Sequence, residues 1–210
     1  MRLVSEASLI AALSLFVASS AAAQSPVRKV PLLPVESLAS LSWQPLSSDA
    51  KGDGLRPRLP DAKDFAYAID PKTNLVWFKV SVHEPLPERW FGINIAIDSD
   101  AQADNGLTWW GTNKFKLDRL ASAYLYTGDG YWQGIAGVSD SEAAGKMLFT
   151  SVSENVRVAV DRAQNALLVG VPRADLGTAP TIRVIATVGS MMVNNDDIPN
   201  EGSATVKLTP

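Results

Sequence analysis

Apolar and polar residues alternate along this chain in short runs, and this alternation is the feature that most restricts its fold. In "WFGINIAID", Phe91, Ile93, Ile95 and Ile97 share one side of an extended backbone. Side chains of a strand point alternately to its two faces, so such a run predicts a strand with one buried face. Stretches with helical periodicity are nearly absent. The chain is therefore predicted to be all-β.

Three pairs of alternating runs flank short turn sequences. "FAYAID" and "NLVWFKVSVHE" flank "PKTN", "LASAYLYT" and "YWQGIAGV" flank "GDG", and "VRVAVD" and "ALLVGVP" flank "RAQN". Such pairs predict antiparallel hairpins. "TIRVIATVGS" and "SATVKLT" close the chain. We expect about nine strands in an antiparallel two-sheet β-sandwich, either jelly-roll or immunoglobulin-like.

The apolar side of each alternating run predicts the residues of the core between the two sheets. The predicted core comprises Phe91, Ile93, Ile95, Ile97, Val156, Val158, Leu167, Val169 and Val184.

Three parts of the chain differ in composition. Residues 1–25 have Arg2 near the start, an apolar stretch and the small run Ala21-Ala22-Ala23, which is typical of a cleaved secretory signal. Residues 26–63 are rich in Pro and Ser and predict an extended lead-in, with one strand around Leu41 to Pro45. Residues 64–210 are predicted to form the sandwich. The expected location is secreted or periplasmic.

Charge and cysteine content exclude several classes of protein. The formal net charge is −3 and no basic block is present, which argues against nucleic acid as a partner. The chain has no cysteine, so disulfides, thiolate metal sites and cysteine nucleophiles are excluded. After the first 25 residues no apolar run is long enough to span a membrane.

An acidic loop, "IDSDAQADNG", follows the most strongly alternating run. Asp98, Asp100, Asp104 and Asn105 offer the oxygen ligands that calcium prefers. The spacing differs from that of an EF-hand, because the twelfth residue counted from Asp98 is Trp109 rather than Glu. A turn in which the short side chains bond their own backbone explains the same residues. Both interpretations remain open.

Aromatic residues are concentrated around this loop. Large rigid rings are common at recognition surfaces, and they stack on the apolar faces of sugars. Core packing explains them equally well. Adjacent residues of an extended backbone point in opposite directions, so one of Trp109 and Trp110 is expected in the core. The candidate ligand-binding residues are Trp109, Trp110, Tyr131 and Trp132.

A second acidic segment, "NNDDIPNEG", is expected to form a loop between the last two strands. Asp196, Asp197 and Glu201 could act as an acid and base in glycoside cleavage if two of them faced each other across a cleft. Nothing in the sequence predicts such a cleft. His83 is the only histidine, which disfavours a catalytic triad and a zinc site. No catalytic residue is assigned.

The order "NIAIDSD", "WWG", "FKLDRLASAYLY" and "GYWQGIAGV" resembles the sandwich superfamily that includes family-nine carbohydrate-binding modules and DOMON domains. The resemblance covers residues 64 to 209. It implies a sugar or haem ligand, with Asp98 and Asp100 at the acidic strand end and Trp109 or Trp132 stacking on a sugar. This sequence departs from the pattern of that superfamily in two ways. The facing tryptophan pair of the sugar binders cannot be located, and no pair among His83, Met147, Met191 and Met192 stands out for haem.

Three functions follow as hypotheses. The first is a secreted non-catalytic module that binds a glycan or another small polar ligand, with a structural calcium ion. The second is a small glycan hydrolase or lyase that uses paired carboxylates at Asp98 to Asp104 or at Asp196 to Glu201. The third is an envelope domain that contacts other proteins through an exposed apolar patch or an open strand edge.

Overall fold

Two antiparallel sheets pack against each other, as the alternation of the sequence predicts. The computed structural model describes residues 28–87, 91–109, 111, 113–125, 131–134, 136–190 and 193–209, with the backbone alone at 28–31, 125 and 131–134. The predicted signal, residues 1–25, lies outside the described residues. The antiparallel two-sheet β-sandwich is confirmed.

The described elements are bounded as follows. The strands are β1 (Arg28–Pro31), β2 (Gln44–Ser48), β3 (Ala62–Asp70), β4 (Leu75–Val82), β5 (Phe91–Asp98), β6 (Leu107–Thr108), β7 (Lys116–Leu117), β8 (Arg119–Leu125), β9 (Tyr131–Gly134), β10 (Ala136–Asp140), β11 (Arg157–Asp161), β12 (Ala166–Pro172), β13 (Thr181–Ser190), β14 (Val193–Ile198) and β15 (Ala204–Lys207). One short helix, α1 (Ser141–Gly145), and 3-10 turns at Val35–Leu38 and Arg173–Leu176 complete the set.

One sheet has five strands and the other six. The five-stranded sheet has the order β11-β12-β4-β3-β2, and the six-stranded sheet has the order β10-β8-β5-β13-β14, with β15 also paired to β13. The predicted hairpins β3-β4 and β11-β12 are present. The run "YWQGIAGV" divides in two, because β9 pairs with β1 of the lead-in while β10 pairs with β8.

The main core lies between the two sheets. All nine residues that the alternation assigns to it are buried there, including Ile93 and Ile95 of β5. Ile93 and Ile95 pack against Phe78 and Val80 of β4, which belongs to the opposite sheet. Burying a side chain of this size stabilises the fold by about 1.5–3 kcal/mol.

The outer faces of both sheets are covered as well. Trp109, Phe115 and Phe149 pack on the outer face of the six-stranded sheet beside Ile185. On the other side, Leu38 of the lead-in packs on Trp77 and Leu168 of the five-stranded sheet, together with the half-buried Trp43. Strand β5 is therefore buried on both faces, although its sequence predicted one.

The sequence misassigned two segments near the chain ends. The expected loop "NNDDIPNEG" contains β14, which pairs with β13, and only its last residues form a turn. The buried positions of β14 include carboxylates, so its sequence has no hydrophobic alternation to detect. The lead-in is also not wholly outside the sandwich. A strand lies near the one predicted at Leu41 to Pro45 but is shifted along the chain to Gln44–Ser48, where β2 forms an edge of the five-stranded sheet.

Candidate functional site

Three carboxylates from opposite ends of the chain converge where the loop between β2 and β3 meets β14. Asp49 and Asp53 belong to the loop, and Asp196 belongs to the strand. One oxygen from each lies within 4.8 Å of the others. Negative charges at this separation repel each other strongly unless a proton or a cation is shared between them.

Hydrogen bonds from the loop backbone hold this arrangement in place. The carboxylate of Asp61 accepts bonds from the backbone N–H groups of Gly52 at 2.6 Å and Gly54 at 3.2 Å. Gly52 has a φ of +96°, in the left-handed region that favours glycine. Asp196 Oδ2 accepts a bond from the backbone N–H of Ala62 at 2.8 Å. The loop is therefore fastened both to itself and to β14.

The neighbouring residue Asn195 adds two further links to the same loop. Its Oδ1 accepts a hydrogen bond from the backbone N–H of Arg56 at 2.7 Å, and its Nδ2 donates to the carbonyl of Pro60 at 2.9 Å. A Cβ added at Gly54 would lie 2.7 Å from Asn195 Nδ2, so a side chain there would separate the loop from β14. The segment "DAKGDG" thus needs Gly52 for the left-handed backbone of its turn and Gly54 for the close approach to Asn195.

The environment of Asp49 and Asp196 is unfavourable for their ionised forms. Asp196 is only 4 % exposed, and burial raises its pKa to about 7, with the negative charges of Asp49, Asp53 and Asp61 adding to the rise. Burial also raises the pKa of Asp49. Within the described residues, no Lys or Arg forms an ion pair with Asp49, Asp53 or Asp196.

One buried oxygen of this group has no hydrogen-bond donor among the described residues. Asp49 Oδ2 is buried and unpartnered, whereas Asp49 Oδ1 and Asp53 Oδ2 each accept a bond from Asn200 Nδ2 at 2.9 Å. A buried carboxylate oxygen without a donor is costly. Calcium prefers carboxylate and amide oxygens in flexible arrays of about six to eight. These residues fit such an ion, and turning the Asn200 amide would present one more oxygen.

The loop predicted to bind calcium has a different electrostatic environment. Asp98 is 1 % exposed and receives a charge-assisted hydrogen bond of 2.8 Å from Arg183 Nε, with a second, shorter one from Nη2. Asp98 Oδ1 accepts from the backbone N–H of Gln102 at 3.1 Å. The positive charge opposite Asp98 compensates its charge without a metal ion.

The exposed residues of that loop bond mainly to one another. Asp100 accepts hydrogen bonds from the backbone N–H of Gln102 at 2.9 Å and from Asn105 Nδ2 at 2.8 Å, and the bond from Asn105 is the main cause of its lowered pKa. The carboxylates of Asp98 and Asp100 converge with that of Asp118 rather than with that of Asp104. The backbone carbonyl of Asp104 accepts a hydrogen bond from Lys116 Nζ. This is the bonding of a polar turn. A calcium ion here stays a prediction.

The candidate ligand-binding aromatics lie at different places. Trp109 is 3 % exposed, and its ring packs in the core on the outer face of the six-stranded sheet. Trp110 lies outside the described residues. Tyr131 and Trp132 belong to β9, and their side chains are outside the described part of the structure. Their predicted role in ligand binding stays a prediction.

The acidic residues of the segment "NNDDIPNEG" do not face one another. Asp196 and Asp197 are adjacent in β14 and point to opposite faces of the sheet. Asp197 accepts hydrogen bonds from Trp109 Nε1 at 3.3 Å and from the backbone N–H of Asn113 at 2.9 Å, and from the Thr187 hydroxyl. It therefore fastens the loop before β7. Glu201 is exposed beyond the end of β14.

A groove of about 840 Å³ opens on the outer face of the five-stranded sheet. Trp43, directly before β2, is half-buried on one side of it, and the lining includes the polar side chains of Lys63, Asp64, Lys79, Ser81 and Gln164. Lys79 Nζ lies 4.8 Å from the centre of the Trp43 ring. We call this feature the Trp43 groove.

Sequence reasoning assigned no function to Asp49, Asp53 or Trp43. Asp49 and Asp53 carry a usable signal, since two aspartates and two glycines within "DAKGDG" are typical of a shaped oxygen-rich loop. Trp43 carries none, because a single tryptophan after a proline-rich segment does not reveal which sheet face it will join.

Comparison of the chain with protein-family models, with curated proteins and with solved structures found no match. None of the helices in the described part of the chain has the length and apolar character that a bilayer crossing requires.

Proposed function

We propose that this chain is a secreted, non-catalytic β-sandwich module that binds carbohydrate in the Trp43 groove and holds a calcium ion at Asp49, Asp53 and Asp196. The observation that carries the proposal is a half-buried tryptophan beside several hydrogen-bonding side chains in one open groove. An indole gives a flat apolar surface for a sugar ring. Ligand sites typically combine such a surface with a few placed polar groups.

The polar lining of the groove suits hydroxyl groups. Asp64 Oδ2 accepts a hydrogen bond from the Ser81 hydroxyl at 3.2 Å, and that hydroxyl oxygen accepts from the backbone N–H of Asp64 at 3.1 Å. Gln164 Oε1 accepts from Lys79 Nζ at 3.3 Å. Each of these groups keeps further donor or acceptor capacity for a ligand. A polyhydroxylated ligand matches this mixture of donors and acceptors.

The same groove argues for binding rather than hydrolysis. Glycoside cleavage usually needs two carboxyl groups about 5 to 9.5 Å apart on either side of the bond. Among the described residues that line the Trp43 groove, Asp64 is the only one with a carboxylate. The tightly grouped carboxylates of Asp49, Asp53 and Asp196 lie in a different place, where β14 meets the loop. Their proximity suits a shared cation.

Calcium would serve this module as a structural ion. It would neutralise Asp49, Asp53 and Asp196 together and supply the contact that the buried Asp49 Oδ2 lacks. Because the loop from Asp49 leads directly into β3, an ion there would fix the start of a strand that lines the groove. The ion would not need to touch the ligand.

A panel of immobilised glycans tests the binding proposal. We expect the parent protein to retain at least one glycan class and Trp43→Ala to lose it by about tenfold or more, since aromatic stacking on a ring contributes about 1–3 kcal/mol. Leu55→Ala is the control, because Leu55 is exposed and lies outside the groove. Equal retention of Trp43→Ala and the parent would overturn the proposed site.

A further inference from the structure

We propose that the Trp43 groove selects acidic sugars, with Lys79 pairing with the carboxylate of a uronic acid. This inference rests on the proposed function, and it adds the chemical class of the glycan and the residue that recognises it.

Lys79 is a half-buried lysine that forms no ion pair within the described part of the chain. It extends from β4 into the groove, where its Nζ contacts the face of Trp43 and donates to Gln164 Oε1 at 3.3 Å. No carboxylate of the described residues forms an ion pair with it. The ammonium group lies at an exposed position of the groove, where a ligand carboxylate could accept a charge-assisted hydrogen bond from it.

The other charged groups of the groove leave Lys79 available. Asp64 bonds to Ser81, and its Oδ2 lies 3.9 Å from Lys63 Nζ. The side chains of Asp64 and Lys63 are each about half exposed. Lys63 adds a second positive charge to the groove lining, so the two lysines outnumber the single carboxylate. The balance of charge in the groove is therefore positive, although the chain as a whole carries −3.

A second hollow limits where the acidic group of the ligand can lie. Trp43, Lys79 and Gln164 also line a neighbouring hollow of about 320 Å³, which contains the carboxylates of Glu36 and Asp161. Those negative charges disfavour an anion on that side. The ligand carboxylate is therefore expected on the Lys63 side of Lys79, within the Trp43 groove.

One sugar residue can satisfy all of these contacts. A six-membered uronic acid has a flat carbon face for Trp43, hydroxyl groups for Ser81 and Gln164, and a carboxylate for Lys79. A neutral hexose has the first two features and lacks the third. The Lys79 ammonium would then remain without a counter-ion in the complex, and the neutral sugar would bind less tightly.

Titration calorimetry at low ionic strength with trigalacturonate and its full methyl ester tests the inference. The two probes differ in charge and keep the same ring hydroxyls. We expect the parent to bind the acid about tenfold or more tightly than the ester, as a charge-assisted hydrogen bond predicts. Lys79→Gln should bring that ratio severalfold closer to one, while Lys114→Gln, at an exposed lysine outside the groove, should keep it.

The outcomes separate this inference from the proposed function. Equal affinity of the parent for acid and ester, with both lost in Trp43→Ala, would overturn acid selection and support glycan binding in the groove. A preference for the acid that is as large in Lys79→Gln as in the parent would also overturn the inference. Failure of the parent to bind trigalacturonate would overturn it too. Binding of either probe that is unaffected in Trp43→Ala would overturn the proposed function itself.

Discussion

The indole Nε1 of Trp109 donates a hydrogen bond of 3.3 Å to Oδ1 of Asp197, a residue 88 positions further along the chain. Both side chains are buried. The bond joins the segment that follows the acidic loop to β14, and it explains why a tryptophan beside a candidate calcium loop belongs to a core. Its polar end is satisfied by a carboxylate, while its rings pack among apolar side chains.

Removing this carboxylate should destabilise the fold without touching the Trp43 groove. We expect Asp197→Ala to lower the free energy of unfolding by about 1–3 kcal/mol, because it removes the buried acceptor of hydrogen bonds from Trp109, Thr187 and Asn113. Urea unfolding measures the change. Glu201→Ala, at an exposed position of the same acidic segment, should stay within about 0.5 kcal/mol of the parent. A similar small value for Asp197→Ala would contradict its structural role.

The ion pair joins the buried carboxylate of Asp98 to the partly exposed guanidinium of Arg183. Removing the guanidinium leaves the buried carboxylate without its counter-charge, so Arg183→Met is expected to cost about 1.5–3 kcal/mol. The double variant Asp98→Leu/Arg183→Met should recover part of that loss, because neither charge remains. A double-mutant cycle in urea gives both values. Purely additive losses would show that Asp98 and Arg183 do not depend on each other.

Calcium should stabilise the protein through Asp53 rather than through Asp100. Both side chains are exposed aspartates in loops, so Asp53→Asn and Asp100→Asn form a matched pair. With calcium at about one hundred times its Kd, the parent and Asp100→Asn should gain about 2.7 kcal/mol, and Asp53→Asn should gain little. Thermal unfolding with calcium and with a chelator measures this. If Asp100→Asn alone lost the stabilisation by calcium, the ion would instead bind in the loop that the sequence predicted.

Without calcium, the raised pKa of Asp196 should make stability depend on pH. Its folded pKa of about 7 lies above the ordinary value of 3.8, so the folded protein holds a proton that the unfolded chain releases across that interval. This contribution is fully present below about pH 4 and is lost as the pH rises towards 7. In chelator, the parent should therefore lose stability relative to Asp196→Asn between these values. A constant difference between parent and variant over that interval would contradict the raised pKa.

The sequence predicted the sandwich because its central strands alternate clearly. Ile93 and Ile95 face the main core as expected. Strand β14 was missed, since its buried positions carry Asp196 and Asp197 in place of apolar residues. Polar residues at buried strand positions are paired by distant segments, and a local pattern does not contain those partners.

The candidate sites were harder to predict than the fold. Asp49 and Asp196 are far apart in sequence, and only the packing of the β2–β3 loop on β14 brings them together. The acidic loop at Asp98 attracted the metal prediction because its ligands are close in sequence. The partner that compensates Asp98 is Arg183, which lies directly opposite it on β13. No spacing rule connects those two positions.

A crystal structure of the protein with its tightest-binding glycan tests the central claim most directly. We predict a sugar ring against the indole of Trp43, with hydroxyl groups within hydrogen-bonding distance of Ser81 and Gln164. The same crystal should show the three carboxylates of Asp49, Asp53 and Asp196 in unchanged positions relative to β14. A glycan bound at Tyr131 and Trp132, with the Trp43 groove empty, would contradict the claim.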